Sequence, residues 1–446
     1  MRFFLFLVVS FLFFGKGQSQ IVAGPMLGQV ELRDAKIWIE VAPSVKSVQV
    51  VYGKKGVTKR ATLSYKGSLS NRYNPIQFQL ADLEPATTYE YHFLVDGKPT
   101  KQRGEFTTKD LWQWRKPVPD FSFLTGSCSY VNEPVYDRPG KPYGGDSSIF
   151  ETMAKEDAAF MLWLGDNWYY REVDFYSVTG LQYRAHHDRS RPVLQNLLKK
   201  MPHYAIWDDH DYGPNDADKS YVLKRESREV FKNYWCNPSY GEGEEGIYTA
   251  ISYGDVDIFM MDDRWFRSSN EMESSIDGKP NSAKRMWGAQ EMEWLKNAML
   301  TSKATFKIIA TGNQMLNRQS SAESLQDYPI EFTELMSFLS SEKITGVLFL
   351  TGDRHHSEVI RYERAGSYPL FDITNSPLTS GVSKVTGTAE AANPDRQPGT
   401  LVEAQNYSRI SVSGVPKSRQ LKVEFLSVRG EVLGSWSINE TSLKNP

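Results

Sequence analysis

The sequence predicts a chain of two folded parts, an all-β sandwich followed by a larger α/β domain. Three observations predict it. A length of 446 residues exceeds one ordinary domain. Residues 21–109 alternate β-branched and aromatic side chains with turn formers, the pattern of short half-buried strands. From Phe121 onward, short apolar runs alternate with helical stretches, as in α/β domains. Hydrophobic residues at 40% and charged residues at 24% are ordinary for a globular protein, so a sizeable core is expected.

Ahead of both parts stands MRFFLFLVVSFLFFGKGQSQ. Arg2 gives a positive start, Phe3 to Phe14 are apolar, and Gly15, Gly17 and Ser19 follow, the layout of a signal peptide. Residues 1–20 are therefore expected to be a leader, and the mature protein to be periplasmic or secreted. The apolar run is shorter than the roughly 20 residues that span a bilayer. No Cys follows it for a lipid anchor, and no later stretch reads as a membrane span. A formal net charge of −2 without a long basic run disfavours nucleic acid as a partner, and no nucleic-acid-binding module is read. Nothing calls for an oligomer, so a monomer is expected. Cys128 and Cys236 make no disulfide framework. They could pair in an oxidising compartment, but Cys128 has another use, described below.

In the β part, Ala35–Val41, Val48–Tyr52, Ile76–Leu80 and Thr88–Val95 are the predicted strands. The stretch LADLEPATTYEYHFLVDGKP resembles a fibronectin type III domain, with Tyr89 or Tyr91 as the corner tyrosine. A linker, TTKDLWQWRKPVPD, leads to the α/β part at residues 121–440. Its apolar runs are Phe121–Leu124, Ala158–Leu164, Tyr204–Trp207, Val256–Met261, Phe306–Ala310 and Gly346–Leu350. Amphipathic stretches predict helices around Ser147–Lys155, Val193–Lys200, Ser220–Tyr234, Ala289–Leu300 and Ile330–Ser340. The tail from Arg409 to Ile438 reads as strands with turns at PKSR and RGE.

Each of the six runs ends in groups able to bind a metal or an anion: FSFLTGSC, MLWLGDNWYY, YAIWDDHDYGPND, FMMDDRWFR, IIATGNQ and VLFLTGDRHH. In α/β sheets, ligands gather beyond the carboxyl ends of strands. Asp166 closes a buried run and could bridge two cations through its two oxygens, or cap the next helix. WDDHD crowds Asp208, Asp209 and Asp211 around His210, a repulsion that cations would offset. Asn215 and Asp216 add oxygen donors of the kind a hard cation prefers. In TGDRHH, Asp353 and His355 are two apart and can face one side. Arg354 could fork onto a phosphate or pair with an acidic neighbour. His356 reads equally well as a surface histidine.

The series GSC, GDNWY, WDDHDYGPND and GDRHH resembles the PhoD-like alkaline phosphatase and phosphodiesterase family, from about Phe121 to the C-terminus. The resemblance implies a metallophosphatase-type α/β sandwich behind the fibronectin III-like β-sandwich. It also implies a metal-dependent phosphoesterase acting on small phosphate monoesters or diesters. By this resemblance Cys128, Asp166, Tyr169 and His355 would hold one Fe³⁺. Asp166, Asp209, Asn215 and Asp353 would hold one or two Ca²⁺, with Zn²⁺ and Mn²⁺ left open. His210 stands where the wider superfamily carries the catalytic His of its GNH pattern; otherwise it is a structural His bonded to Asp211. Together with Arg354 it is a candidate catalytic residue. Asp262, Asp263 and Arg264 would support the site from behind, and Asn313 or Gln314 is a candidate for the superfamily's unmatched middle His. Two other readings compete: a purple acid phosphatase, for which the GNHE and GHxH signatures are absent, and a non-catalytic secreted binding protein. The loops Glu133–Gly145 and Ser268–Met286 are expected to wall the pocket, with Trp168, Tyr170 and Tyr212 either lining it or, as aromatic residues beside strand ends more often do, packing in the core.

Overall fold

The computed structural model describes residues 20–319 and 323–445, so the expected leader, all but Gln20, lies outside them. In the N-terminal part Ile21–Val30, Ala35–Val41 and Asn74–Leu80 form one antiparallel sheet. Ala61–Ser64, Val48–Lys54, Thr88–Val95 and Lys98–Thr107 form the other. Along Thr88–Val95 every second side chain is buried, and Val50, Phe78, Tyr91 and Phe93 join Ile37 and Ile39 in a core between the sheets. The Tyr89 hydroxyl accepts the Glu84 N–H at 2.9 Å, so Tyr89 is the corner residue.

The second part is built on two six-stranded sheets sharing one core. His203–Ile206, Met161–Leu164 and Phe121–Gly126 run parallel in the first, continued by antiparallel Asn406–Ser413, Gln420–Ser427 and Val432–Asn439. In the second, Val256–Met260, Phe306–Ala310, Val347–Thr351 and Leu370–Thr374 run parallel, edged by antiparallel Thr249–Tyr253 and Glu358–Tyr362. Phe123, Leu162 and Ile410 of one sheet and Ile258, Ile309 and Leu348 of the other belong to the same buried cluster. The six apolar runs are thus six of the parallel strands, three per sheet. The tail strands complete the first sheet.

Helices Ile149–Met153, Gln195–Lys200, Lys224–Tyr234, Gly288–Thr301 and Pro329–Ser341 fall on the amphipathic stretches. Helix Val178–Arg189 does not. Its buried residues are Gly180, Leu181, Arg184, Ala185, Asp188 and Arg189, helical in spacing but half of them charged, so apolar periodicity does not reveal it. Arg184 is fully buried there and neutralised by Glu133, Asp174 and Asp188 at 2.8–3.5 Å. Among the described residues no helix is long and apolar enough to cross a membrane.

The two parts meet along the helix ending at Tyr234. Trp38 Nε1 donates to the Asn233 carbonyl at 2.9 Å, and Gln77 Nε2 to that of Trp235 at 3.0 Å. Buried Glu40 accepts the Tyr234 hydroxyl at 3.0 Å. Cys236 is buried in this seam, and both cysteines are free, so the Cys128–Cys236 pairing does not form. A Cβ on Gly28 would lie 2.1 Å from the Cys236 Cβ. Gly28→Ala is therefore expected to destabilise the protein by about 1–3 kcal/mol through overpacking. A thermal melt reads the loss, and a further Cys236→Gly change should restore part of it.

Candidate metal centre

Four of the residues at the strand ends bend the chain the same uncommon way. Cys128 (φ 60°), Asp166 (φ 53°), Asp353 (φ 64°) and His355 (φ 57°) all occupy the left-handed region, which few non-glycine residues adopt. Two glycines let these bends pack. A Cβ on Gly165 would lie 2.6 Å from the Asp208 Cβ. One on Gly352 would lie 2.7 Å from both the Leu164 carbonyl oxygen and Ser127 Oγ. Glycine at 352 thus lets the end of one sheet press against the end of the other, which brings their side chains together.

What converges is a set of donors. Ligand atoms of Cys128, Asp166 and His355 all lie within 4.8 Å of one another, and so do those of Asp166, Asp209 and His210. Asp166 belongs to both groups, the place of a bridging carboxylate. The Tyr169 hydroxyl is 3.3 Å from His355 Nε2, and the Tyr169 ring lies against that of His210, centroids 4.2 Å apart. Asp353 and the exposed Asn215 line the same cavity as Asp166 and Asp209.

Behind the donors, Asp211 ties two strand ends together by accepting the N–H groups of Asp166 (3.2 Å), Asn167 (3.0 Å) and Asp208 (2.6 Å). The alternative reading had His210 as a structural residue bonded to Asp211; the Asp211 carboxylate takes these backbone N–H groups and Asn167 Nδ2 instead. Arg264 forks onto Asp208 and onto Glu323 (2.5 Å), and Arg267 meets Glu323 at 2.8 Å. Asp263 accepts the Asn313 N–H at 3.1 Å. Asp262 is turned away, onto Trp207 Nε1 at 2.6 Å and the Ile247 N–H at 2.8 Å. Ser376 Oγ donates to Cys128 Sγ at 3.0 Å.

Electrostatics shows what the donor set lacks. Burial, then Cys128, Asp209, Asp211 and Asp353, push the Asp166 carboxyl well above its usual range. Burial and then Asp353 raise the Cys128 thiol to about 12. Burial and then Asp166 raise the Tyr169 phenol, and burial with Glu323 and Asp209 lifts Asp353 to about 6. Asp209 is the exception: burial raises it, but His210, Arg264 and the Asp216 N–H outweigh that. Burial lowers both His210 and His355. Buried anionic groups this close do not ionise together without a counter-charge. Thiol, phenol, carboxyl and imidazole at one point are donors that fit cations.

The cavity over these groups holds about 1030 Å³. Both expected loops wall it, through Tyr143 of the first and Asn270 to Ser274 with Lys284 of the second. Arg354 lines it too, but its fork sits on Glu390 at 2.8–2.9 Å and on Gln314 at 3.1 Å, the acidic-partner alternative. Gln314 Nε2 also donates to Glu358 at 2.9 Å and Asn313 Nδ2 to Glu323 at 2.9 Å, and neither side chain lines this cavity. Trp168, Tyr170 and Tyr212 are buried in the core rather than lining this cavity. His356 is fully buried 3.4 Å from Glu358, not at the surface. Tyr143, Ser376 and Glu323 were not read from the sequence. They act on donors far away in the chain, and no local spacing marks them.

The chain is similar to known phosphatases. A family model described as PhoD-like phosphatase matches residues 123–437, and one described as a domain of unknown function (DUF7800) matches residues 18–109. Alkaline phosphatase D of Bacillus subtilis (strain 168) is 25% identical over 347 residues, which is 68% of this chain and 56% of that relative. The match thus spans little more than half of the relative's length. A solved structure of PhoD aligns with a TM-score of 0.76 at 20% identity, over 97% of this chain and 93% of that one. The purple acid phosphatase PPD1 from yellow lupin (Lupinus luteus) seeds aligns at 0.63 with 10% identity, over 93% and 74%. At these identities the likeness is one of fold, a metallophosphatase-type α/β sandwich behind an N-terminal β-sandwich.

Proposed function

The chain belongs to the PhoD-like phosphatase family, and from that premise we propose that it is a metal-dependent phosphoric ester hydrolase of small phosphate monoesters, diesters or both. One observation carries the reading: buried anionic donors from the strand ends of two sheets meet around Asp166 beneath one cavity. Residues 1–20 are read as an export leader, 21–109 as a fibronectin III-like β-sandwich and 121–440 as the catalytic domain of a periplasmic or secreted monomer.

Cys128, Asp166, Tyr169 and His355 would hold one Fe³⁺; Asp166, Asp209, Asn215 and Asp353 would hold one or two Ca²⁺, with Zn²⁺ and Mn²⁺ as other candidates. Bound there, the ions would supply Lewis acidity toward the phosphoryl oxygens and acidify the attacking water. The protein's own groups do the rest. His210, at the cavity wall with its ring tilted against that of Tyr169, presents an imidazole N–H to the departing alkoxide. Arg354, held in place by Glu390, supplies positive charge at the wall where phosphoryl charge accumulates. Arg264, fixed between Asp208 and Glu323, sets the entry to the Asp209–Tyr212 turn and so aims Asp209 and His210. The purple acid phosphatase reading shares the fold but needs GNHE and GHxH, where this chain has DDHD and GDRHH.

The test is hydrolysis of a chromogenic phosphomonoester and phosphodiester by pure protein, beside a metal analysis. Turnover is expected to vanish with a chelator and to return with Ca²⁺ once iron is bound. Metal-loaded protein that turns over neither ester would be a binding protein instead.

A further inference from the structure

The loop from Glu133 to Gly145 contributes none of the proposed donors, yet its Tyr143 touches one. The Tyr143 hydroxyl is 2.9 Å from His355 Nδ1, while His355 Nε2 faces the Tyr169 hydroxyl at 3.3 Å. The two ring nitrogens therefore point to different partners, Nε2 to the side of the proposed iron donors and Nδ1 to Tyr143. The Tyr143 ring is fixed edge-on against Tyr130, centroids 4.9 Å apart. A Cβ at Gly381 would come within 2.9 Å of Tyr143 Cε2, so that position leaves room for the ring. Tyr143 is 45% exposed. It also lines a second cleft of about 330 Å³ that reaches His210, so its ring is a wall between two approaches to the site.

A neutral imidazole carries one N–H and one lone pair, and either nitrogen can bind a cation. An acceptor fixed at Nδ1 keeps the proton there and leaves the Nε2 lone pair free for the metal. We propose that Tyr143 is a positioning residue that accepts the His355 Nδ1–H and thereby selects the tautomer and ring orientation with which His355 binds metal. The proposal rests on the metal-dependent reading above. Losing such a partner typically weakens metal affinity about 10–100-fold.

Tyr143→Phe removes the hydroxyl and keeps the ring. The measurements are metal per chain in purified protein, the rate of its release into a chelator, the melting temperature of stripped protein, and KM. Tyr143→Phe is expected to bind the metal about 10–100-fold more weakly, with stripped-protein melting and KM unchanged. Tyr143→Ala is expected to match it in metal loss and to change KM as well, because the wall is gone. Metal retention by Tyr143→Phe equal to wild type would overturn the proposal, as would loss confined to Tyr143→Ala. A wild-type protein that holds no metal would overturn it together with the reading beneath it.

Discussion

Asp166→Asn is expected to abolish hydrolysis, lowering kcat/KM by at least ~10³-fold, and to strip the protein of its metals. Asp166 is the one side chain common to both donor groups, so its charge serves every proposed cation. Asn keeps the shape, tolerates the left-handed backbone at φ 53°, and retains an oxygen for the backbone N–H of His210, which now meets Asp166 Oδ1 at 3.2 Å. What is lost is the negative charge and one of the two ligating oxygens, replaced by an NH2 that only donates. A loss of ~10³ corresponds to about 4 kcal/mol of transition-state stabilisation, within the several kcal/mol a bound cation contributes. Stability should move the other way. The carboxyl is buried against Cys128, Asp209, Asp211 and Asp353, so stripped Asp166→Asn should melt above stripped wild type. Retained activity, or a lower melting point, would contradict the bridging role.

The second large effect is on the metal-free protein, which should lose stability as the pH rises from about 4 to about 7. Burial, then Glu323 and Asp209, raise Asp353 to about 6. Burial raises Asp211 to about 7 against several hydrogen bonds that lower it. Asp166 and Asp208 are raised as well, burial leading in each. For such groups the folded state keeps protons that the unfolded chain has released. Their stability is full below the unfolded value of 3.8 and disappears as pH climbs through the folded values. Each contributes a slope of up to about 1.4 kcal/mol per pH unit. Asp209 has the opposite sign, its carboxyl held low by His210 and Arg264 against burial; its contribution is lost only on further acidification. Melting curves between pH 4 and 8, with and without metal, read the effect. Stripped protein should fall steadily and loaded protein should not. A flat stripped curve would mean that the donors already have their counter-charge.

Much of this was legible in the sequence because the parallel strands are buried on both faces. Buried strands read as short apolar runs, and a polar group directly after one has few uses besides a site. That logic marks the segments GSC, GDNWYY, WDDHD and GDRHH, while the choice of Cys128, Asp166, Asp209 and Asp353 within them came from the family resemblance. The same logic misses Leu370–Thr374, where Asp372 interrupts the apolar run. Asp372 is buried there because Thr351 Oγ1 and the N–H groups of Met315 and Leu316 all bind it at 2.7–2.9 Å. It misses helix Val178–Arg189 for the related reason that ion pairs of Arg184 as well as the apolar Leu181 and Ala185 bury its face. For Arg354 the sequence left two partners open. The acidic one, Glu390, is 36 residues away and no local pattern links them. Tyr143 shows the same limit, since a loop rich in Gly and Pro has no period to read.

Every proposed donor precedes residue 356, yet the sheet bearing Cys128 and Asp166 is incomplete until Asn406–Ser413 docks beside Phe121–Gly126. A chain made from its N-terminus onward therefore carries its cation seats half-built through most of its synthesis, since such distant pairings form late. On the metal-dependent reading, loading would wait for that docking. The ions in purified protein should accordingly mirror the supply of the compartment where folding ends, and expression of the same gene in another compartment should change the metal and leave the fold alone.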